Sequence, residues 1–415
     1  MASSDIVTAI DIGTTKICTI VARNDRHNNI VDIIDYSFAP CEGLKKGNVE
    51  DIYLTSEAIK QTLVEIKKNT GISPKSAYVG ITGSHIKYMT RTDSFDDVGG
   101  QGVITAEEVR RIPQLVLNNS HNYMNPVIHS FTKSFTVDGQ EGIGDPTGMH
   151  ATGFDVTSLI VTAGQEFTHK IEQVMEESGL SIDGFVLNVL ASAQSVLTTS
   201  DKNYGSAVID IGCGTTDILV FKDGHIESIE IIPVGGFQFT NDIVLTYNTT
   251  FGDAELAKLQ FANTEPGSVD MSEMLSLPVN NSDSASNIYR RDLCQLVRER
   301  ALELIRLIDL KLAETSIREK TNPKIVLTGG SVMLPGFLEM FQQFLPDFKI
   351  SFGQIGDISG IPDTLDSPFY STGVGIMQFA CFEESRLAVI KEEEKVIVTN
   401  SGKGFINKIK NMINR

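Results

Sequence analysis

A segment that occurs twice limits what this chain can fold into. Residues 6–22 read IVTAIDIGTTKICTIVA, and residues 206–221 read SAVIDIGCGTTDILVF. Each is an apolar strand that ends in Asp-Ile-Gly, followed by a short turn and a second strand rich in Val, Ile and Thr, which is the pattern of a β-hairpin. Because the copies are 199 residues apart, from Asp11 to Asp210, the chain is predicted to have two α/β halves that begin alike.

The composition is typical of a soluble globular protein. The chain has 415 residues, of which 41% are hydrophobic and 21% charged, and a length of this order predicts about two to four domains. A net charge of −18 argues against nucleic-acid binding, because phosphate contacts need clustered Lys and Arg. Five scattered cysteines without a C-x-x-C pair indicate a reducing cytoplasm, without disulfides or zinc.

Neither export nor a membrane span is expected. No apolar run approaches the roughly 18 residues that a spanning helix needs. The first residues of the chain also lack the basic and apolar regions of a signal peptide.

Periodicity divides each half further. In the first half it predicts strands at 30–37, 77–82 and 182–187, and helices at 53–69, 166–178 and 190–199. Segment 84–163 interrupts this alternation and is predicted to be a small inserted subdomain. In the second half we predict helices at 239–247, 253–261, 288–317 and 370–382, a strand at 324–328, and a loop at 264–286.

The two glycine turns are suited to hold phosphate groups. Backbone N–H groups bind a phosphate best where no bulky Cβ keeps it away. Asp11 and Asp210, at the ends of the preceding strands, are predicted to hold a hydrated Mg²⁺, which keeps several waters and takes one or two carboxylates. One such turn alone would more often be an ordinary hairpin turn. The predicted phosphate-binding residues of the two turns are Gly13, Thr14, Thr15, Lys16, Gly212, Gly214, Thr215 and Thr216.

Two further glycine pairs follow the second hairpin. A strand at 324–328 ends in Gly329-Gly330-Ser331, and an adenosine can lie flat against such a backbone. Gly235-Gly236 is predicted to pass behind the same nucleotide, with a simple packing turn as the alternative. Further candidates for contact with the base are Arg290, Arg291 and Arg298.

In this order, the two D-I-G hairpins and the L-T-G-G motif resemble the phosphate-1, phosphate-2 and adenosine elements of the actin-like ATPase superfamily. Within it, the chain most resembles the FtsA family of bacterial cell-division proteins. The early insert, its stretch VDGQEGI at 137–143, PFYSTGVG at 368–375 and the amphipathic ending carry this narrower resemblance. Cys213 and Gly373 stand where the family often has Gly and Ala; both are small enough to be tolerated.

The resemblance implies an α/β, actin-like ATPase fold, with two ribonuclease-H-like halves around a nucleotide cleft, an FtsA-type insert and a C-terminal amphipathic helix. The implied division has two cores, 1–83 with 164–200 (1A) and 201–236 with 322–384 (2A). The insert (1C) is 84–163 and the outer subdomain (2B) is 237–321. A flexible linker at 385–402 and a membrane-targeting helix at 403–415 follow.

The implied cofactors are ATP and Mg²⁺, with weak ATPase activity at most. In the superfamily, a polar residue on the helix that links the halves helps to position the attacking water. Gln194 is the candidate here, and a simple hydrogen bond between domains is the alternative for this side chain.

The end of the chain has the pattern of a helix that lies in a membrane surface. Its apolar positions form one helical stripe, basic residues occupy the other faces, and no acidic residue is present; the residues concerned are Phe405, Ile406, Ile409, Met412, Ile413, Lys408 and Lys410. Docking on the protein's own core or on a partner is the alternative, and the resemblance favours an anionic lipid surface. Since one short anchor binds weakly, we expect membrane retention to depend on polymers that carry many anchors.

The resemblance also implies partners. FtsA-like proteins hold the C-terminal peptide of FtsZ on subdomain 2B, for which Arg300 and Glu303 are the candidates, unless they form only an exposed ion pair. It further implies self-assembly, later division proteins at the insert, and a peripheral location on the cytoplasmic side of the inner membrane at the division site. The alternatives are a small-molecule kinase of the same superfamily and an MreB-like filament protein.

Overall fold

Two five-stranded sheets of the same topology form the centre of the two halves. The computed structural model describes residues 5–25, 30–96, 102–118, 124–282, 284–356, 358 and 361–400. Strands of the first half are β1 (Asp5–Ile12), β2 (Lys16–Asp25), β3 (Ile30–Pro40), β4 (Leu44–Lys45), β5 (Asn48–Val49), β6 (Ser76–Ile81), β7 (Lys87–Asp96), β8 (Val127–Val137), β9 (Gln140–Ile143), β10 (Gly153–Thr162) and β11 (Ser181–Leu187). Its helices are α1 (Ile52–Thr70), α2 (Ala106–Asn118), α3 (Gln165–Glu177), α4 (Asn188–Val196) and α5 (Thr199–Tyr204).

The second half repeats the hairpin and its sheet. Its strands are β12 (Ser206–Ile211), β13 (Thr216–Lys222), β14 (His225–Ile232), β15 (Met274–Pro278), β16 (Ala285–Tyr289), β17 (Lys324–Thr328) and β18 (Lys349–Phe352). Its helices are α6 (Gly236–Tyr247), α7 (Phe251–Phe261), α8 (Arg290–Ala313), α9 (Phe337–Phe344) and α10 (Ser371–Asn400). The sheets have the orders β3-β2-β1-β6-β11 and β14-β13-β12-β17-β18. The predicted α/β fold with two halves that begin alike is confirmed.

The central strands read as apolar runs because both of their faces are covered. Every residue of β12 is buried, and it pairs antiparallel with β13 and parallel with β17. In the first half, β1 likewise pairs antiparallel with β2 and parallel with β6. A polar residue at the end of such a strand, Asp11 or Asp210, is therefore carried into a buried position.

The insert between β6 and α3 has a sheet and a core of its own. Its four strands have the order β7-β10-β8-β9, and α2 packs against β8. The core contains an aromatic cluster in which Phe154 lies 5.7 Å from Phe95 and 5.8 Å from Phe135, measured between ring centroids. The interruption of the α/β alternation in the sequence thus corresponds to an inserted, separately packed sheet.

Helix α10 is longer than the sequence pattern predicted. It crosses α4 and packs on β1, β2 and β6, and Asn24 Nδ2 donates to the Cys381 carbonyl at 2.9 Å. The helix continues to Asn400, so the prediction of a flexible linker from residue 385 is wrong for most of that segment; its Glu and Lys run contains no Gly or Pro and favours helix. The predicted amphipathic helix at 403–415 lies outside the described residues. Within the described ranges, no helix has the length and apolar character needed to cross a bilayer.

The segment predicted as a loop at 264–286 contains a hairpin. Strands β15 and β16 pair antiparallel, with Leu275 opposite Ile288. Burial alternates along β15, where Leu275 and Leu277 are buried between exposed neighbours. Because Ile288 belongs to β16, helix α8 begins at Arg290 rather than at Ile288, and it ends at Ala313.

Candidate functional site

The glycine turns of the two hairpins approach each other across a cleft between the halves. Gly13 N donates to the Lys16 carbonyl at 3.0 Å, and Gly212 N donates to the Thr215 carbonyl at 2.9 Å, so both turns close in the same way. A Cβ on Gly214 would lie 2.7 Å from Thr14 Oγ1. Only glycine permits so close an approach of the second turn to the first.

Most of the predicted nucleotide-binding residues line this one cleft. They are Asp11, Gly13, Thr14, Thr15, Lys16, Asp210, Gly212, Gly214, Thr215, Gly236, Gly329, Gly330 and Ser331. Two predicted residues lie behind its wall. Thr216 is buried and donates to the Val234 carbonyl at 2.8 Å, and Gly235 packs on the carbonyls of the second turn and donates its N–H to Gln238 Oε1 at 2.8 Å. These two support the turn and do not line the cleft.

Several residues of the cleft were not predicted. The most unusual is Lys258 of α7, whose side chain is 8% exposed and donates to Glu255 at 2.8 Å and to Thr240 at 2.9 Å. In sequence, Glu255 and Lys258 look like an ordinary i,i+3 surface pair. The others are Ile12, Gly47, Thr82, Asn188, Cys213, Asp217, Leu259, Met333, Leu334, Pro335, Phe369 and Thr372. Of these residues, only Asp217 could have been identified from the sequence, because it is an acidic residue in a strongly apolar strand.

Gln194 lies on the wrong face of α4 for a role in the cleft. Ser192 Oγ donates to Asp210 at 2.5 Å, and a residue two positions later is turned by about 200° around a helix. Gln194 is accordingly exposed, and its side chain accepts a hydrogen bond from Lys202 at 3.2 Å. The prediction that Gln194 positions water is therefore wrong. The polar α4 residue that lines the cleft is Asn188, at the start of the helix.

The arginines proposed for the base do not line the cleft. Arg290 donates to the Phe261 carbonyl at 2.8 Å and pairs with Glu273 at 3.0 Å. Arg298 donates to the Thr264 carbonyl at 2.7 Å. Arg291 is also absent from the residues that line the cleft. Two of the three thus stabilise subdomain packing, and contact with the base is not supported for any of them.

Arg300 and Glu303 form the ion pair that the sequence left as an alternative. Arg300 Nη1 donates to Glu303 at 2.5 Å. Its Nε and Nη2 donate to the two carboxylate oxygens of Asp242 in α6, at 2.6 and 2.9 Å. This bidentate pair joins α6 to α8, so Arg300 has a structural role, and partner binding stays a prediction.

Three buried aspartates occupy the floor of the cleft. Asp11, Asp210 and Asp217 are 7%, 8% and 3% exposed. Burial raises the pKa of Asp11 to about 6, with Lys16 opposing and Asp210 adding to the effect. Burial likewise raises the pKa of Asp217 to about 7, and Asp210 adds to it. Burial also raises the pKa of Asp210, against hydrogen bonds from Ser192 and Thr372. Near neutral pH, these three carboxyl groups therefore lack enough nearby positive charge to balance their ionised forms.

The donor set fits a hydrated divalent cation. Asp217 Oδ1 is buried without a hydrogen-bond partner, so it can accept from a metal-bound water. Among the described residues, no group of three or more His, Cys, Asp and Glu is arranged to hold a metal directly. Mg²⁺ does not need one, because it retains several of its waters and takes one or two carboxylates.

Replacing Asp217 by Asn is expected to stabilise the protein above neutral pH. The unfolded aspartate ionises near pH 4, whereas the folded one keeps its proton to about pH 7. Between these values the folded state binds more protons, so the free energy of unfolding falls as pH rises. The Asp217→Asn variant carries no charge at this position. In urea unfolding with EDTA, its free energy of unfolding should therefore be higher than that of wild type at pH 8 and equal to it near pH 3.5.

Asp223→Asn is the matched control for this prediction. Asp223 lies in the tight turn between β13 and β14 and is exposed, and its hydrogen bond from Lys320 lowers its pKa. Its substitution should give no gain at pH 8. An Asp217→Asn variant that is less stable than wild type by the same amount at both pH values would contradict the assignment.

Two models of one protein family match the chain. The model described as cell division protein FtsA matches residues 207–375. The model described as the SHS2 domain inserted in FTSA matches residues 83–162, which is the segment of the four-stranded insert. The second hairpin and the insert therefore lead to one family.

Proteins described as cell division protein FtsA are similar over most of the chain. The one from Pseudomonas aeruginosa is 29% identical over 390 residues, which cover 92% of this chain and 91% of that protein. The one from Bacillus subtilis is 28% identical over 381 residues, covering 92% and 84%. The one from Escherichia coli K12 is 26% identical over 408 residues, covering 96% and 95%.

Solved structures share the fold at low sequence identity. The PilM-PilN type IV pilus biogenesis complex matches with a TM-score of 0.62 and 13% identity, covering 90% of this chain and 98% of that one. MreB5 of Spiroplasma citri bound to ADP matches with a TM-score of 0.51 and 13% identity, covering 94% and 98%. Identity at this level shows the fold alone, which is actin-like.

Proposed function

Because the chain belongs to the FtsA family of cell division proteins, we propose that it is an ATP-binding, self-assembling protein that tethers FtsZ filaments to the membrane. Its place in the family gives it an actin-like role in cell division. The proposal adds the nucleotide, the cation, the lipid surface and the partner. The observation that carries it is the meeting of three glycine motifs at one cleft.

The nucleotide part rests on how closely the backbone approaches the cleft. A Cβ on Gly236 would lie 2.6 Å from Ser331 Oγ, and a Cβ on Gly330 would lie 2.6 Å from Phe369 Cδ2. The turns after β1 and β12 would hold phosphates through their N–H groups. Gly330, Met333 and Leu334 offer a largely apolar wall for a base. One structural relative, MreB5 of Spiroplasma citri, was solved bound to ADP, which supports a nucleotide here.

The polar side chains of the cleft have distinct roles in this proposal. When bound, Mg²⁺ would neutralise phosphate charge, and Asp11 and Asp210 would hold it through water. Glu255 and Lys258, close together on α7, would meet the sugar hydroxyls. Asn188, whose Oδ1 is buried without a hydrogen-bond partner, takes the water-orienting role in place of Gln194. Calorimetric titration with ATP and Mg²⁺ tests this; no saturable heat would refute nucleotide binding.

The membrane part rests on the sequence pattern at 403–415. In a helix that lies in the lipid surface, Ile409 belongs to the apolar stripe and Asn407 does not. Ile409→Glu should therefore weaken binding to anionic vesicles several-fold more than Asn407→Glu, since both add the same charge but only the first removes an apolar contact. Vesicle flotation measures this. Equal effects of the two variants would contradict an interfacial helix.

The partner part of the proposal rests on membership of the FtsA family and on two charged residues of α8. We propose that the C-terminal peptide of FtsZ binds subdomain 2B, with Arg300 and Glu303 at the site, that copies of the chain form polymers, and that later division proteins bind the insert. A pull-down with the FtsZ peptide separates this from an MreB-like filament protein. ATP consumption that depends on a small metabolite would instead favour a small-molecule kinase.

A further inference from the structure

The ammonium of Lys16 lies in a seat formed by two aromatic rings. Its Nζ is 3.2 Å from the ring centroid of Phe369 and 3.8 Å from that of Tyr370, and it donates to the Phe369 carbonyl at 3.0 Å. The two rings are perpendicular, with centroids 4.9 Å apart. Phe369 and Tyr370, here called the aromatic seat, thus hold the one cation of the first glycine turn.

The aromatic seat is fixed to the second half of the cleft. It belongs to the short 3₁₀ turn Pro368–Tyr370, which leads directly into α10. The Pro368 carbonyl accepts from Gly329 N at 3.0 Å and from Thr328 Oγ1 at 3.1 Å. Thr372, at the start of α10, donates to Asp210 at 2.9 Å. Lys16 therefore connects the first turn to a segment that is hydrogen-bonded to Gly329 of the third glycine motif and leads into α10.

A phosphate bound by the first turn would compete with the aromatic seat for the same ammonium. Phosphate oxygens are charged acceptors that attract an ammonium strongly, whereas the ring faces and the carbonyl offer a weaker, preformed site. A single ammonium cannot contact both sets fully. Burial also lowers the pKa of Lys16 to about 8, which agrees with an ammonium group that is largely shielded from solvent.

We propose that the aromatic seat determines how strongly the cleft prefers phosphorylated over unphosphorylated nucleosides. This rests on the proposed nucleotide function. The ammonium leaves the seat when it binds a phosphate, so the seat lowers affinity for ATP and leaves adenosine unaffected.

Tyr370→Leu tests the proposal, because Tyr370 contacts Lys16 but does not line the cleft. Removing one ring should raise ATP affinity about 5-fold, the order of one cation–π contact, and leave adenosine affinity unchanged. Tyr370→Phe keeps the ring and should behave as wild type. Phe38→Leu is the matched control, since Phe38 packs against Tyr370 with ring centroids 6.0 Å apart and is not part of the seat, and it should change neither affinity.

Calorimetry with ATP and with adenosine distinguishes the outcomes. Unchanged or weaker ATP binding by a folded Tyr370→Leu variant overturns the proposal that the aromatic seat competes with phosphate. An equal change in affinity for ATP and adenosine overturns it as well. The same gain in Tyr370→Phe also overturns it, because the ring would then be irrelevant. If wild type binds neither ATP nor adenosine, the proposed nucleotide function fails instead.

Discussion

Gly375→Ala is expected to destabilise the protein by at least about 3 kcal/mol, whereas Gly373→Ala in the same helix is expected to be tolerated. Helix α10 crosses α4 at Gly375, where an added Cβ would overlap the backbone carbonyl of Ala191 and lie 3.0 Å from its Cα. The obstacle is the backbone of another helix, which cannot turn aside as a side chain can. Overpacking of this kind commonly costs about 1–3 kcal/mol and sometimes more.

Gly373 differs because space for a methyl group exists there. Its Cβ would lie 3.5 Å from Cys18 Sγ and 3.6 Å from Ile20 Cδ1, which are ordinary contacts. Alanine also has a higher helix propensity than glycine, by about 0.5–1 kcal/mol. Gly373→Ala should therefore be neutral or slightly stabilising in urea unfolding. An equal decrease in the free energy of unfolding for Gly373→Ala and Gly375→Ala would contradict the tight crossing at Gly375.

The crossing matters for the cleft because both helices reach Asp210. Ser192 of α4 and Thr372 of α10 donate to the same carboxylate oxygen, at 2.5 and 2.9 Å. Shifting α10 away from α4 would separate these two hydroxyls. A Gly375→Ala variant that remains folded is therefore expected to perturb the acidic floor of the cleft as well.

The sequence predicted those parts of the site that local chain pattern determines. Strand burial and turn chemistry act within a few residues, so the two hairpins and Gly329-Gly330 were identified correctly as one cleft. The prediction of Gln194 was wrong because it required knowing which face of α4 meets Asp210. That face is decided by packing between the halves, which no local pattern in one sequence records.

Other features of the site and of the fold could not be predicted from the sequence, for related reasons. Glu255 and Lys258 have the spacing of a surface pair, and only the fold of α6 over α7 buries the lysine. Phe369 is 40% exposed and looks like an ordinary aromatic residue of a turn, although its ring faces Lys16. The hairpin of β15 and β16 was hidden by Ser and Asn on its exposed positions. Apart from this local hairpin, the misses concern contacts between segments that are distant in sequence.

Asp210→Asn is expected to abolish the increase in ATP affinity that Mg²⁺ produces. Asn keeps an oxygen that can accept from Ser192 and Thr372, so the helices stay in place, but the charge that would hold the metal-bound waters is lost. Groups that act on a metal through such an outer shell contribute about 10- to 100-fold to its affinity. We therefore expect ATP affinity with Mg²⁺ to fall by about that factor in calorimetric titration.

The sign of the effect should reverse in EDTA. Without a divalent cation, Asp210 only repels the triphosphate, and burial already raises the pKa of this carboxyl group, so its ionised form is unfavourable. Asp210→Asn should then bind ATP at least as tightly as wild type. A general loss of folding would weaken binding under both conditions, and this reversal distinguishes the two. If Asp210→Asn retained the full enhancement by Mg²⁺, the cation would have to be held by Asp11 and Asp217 instead, and the role given to Asp210 would be wrong.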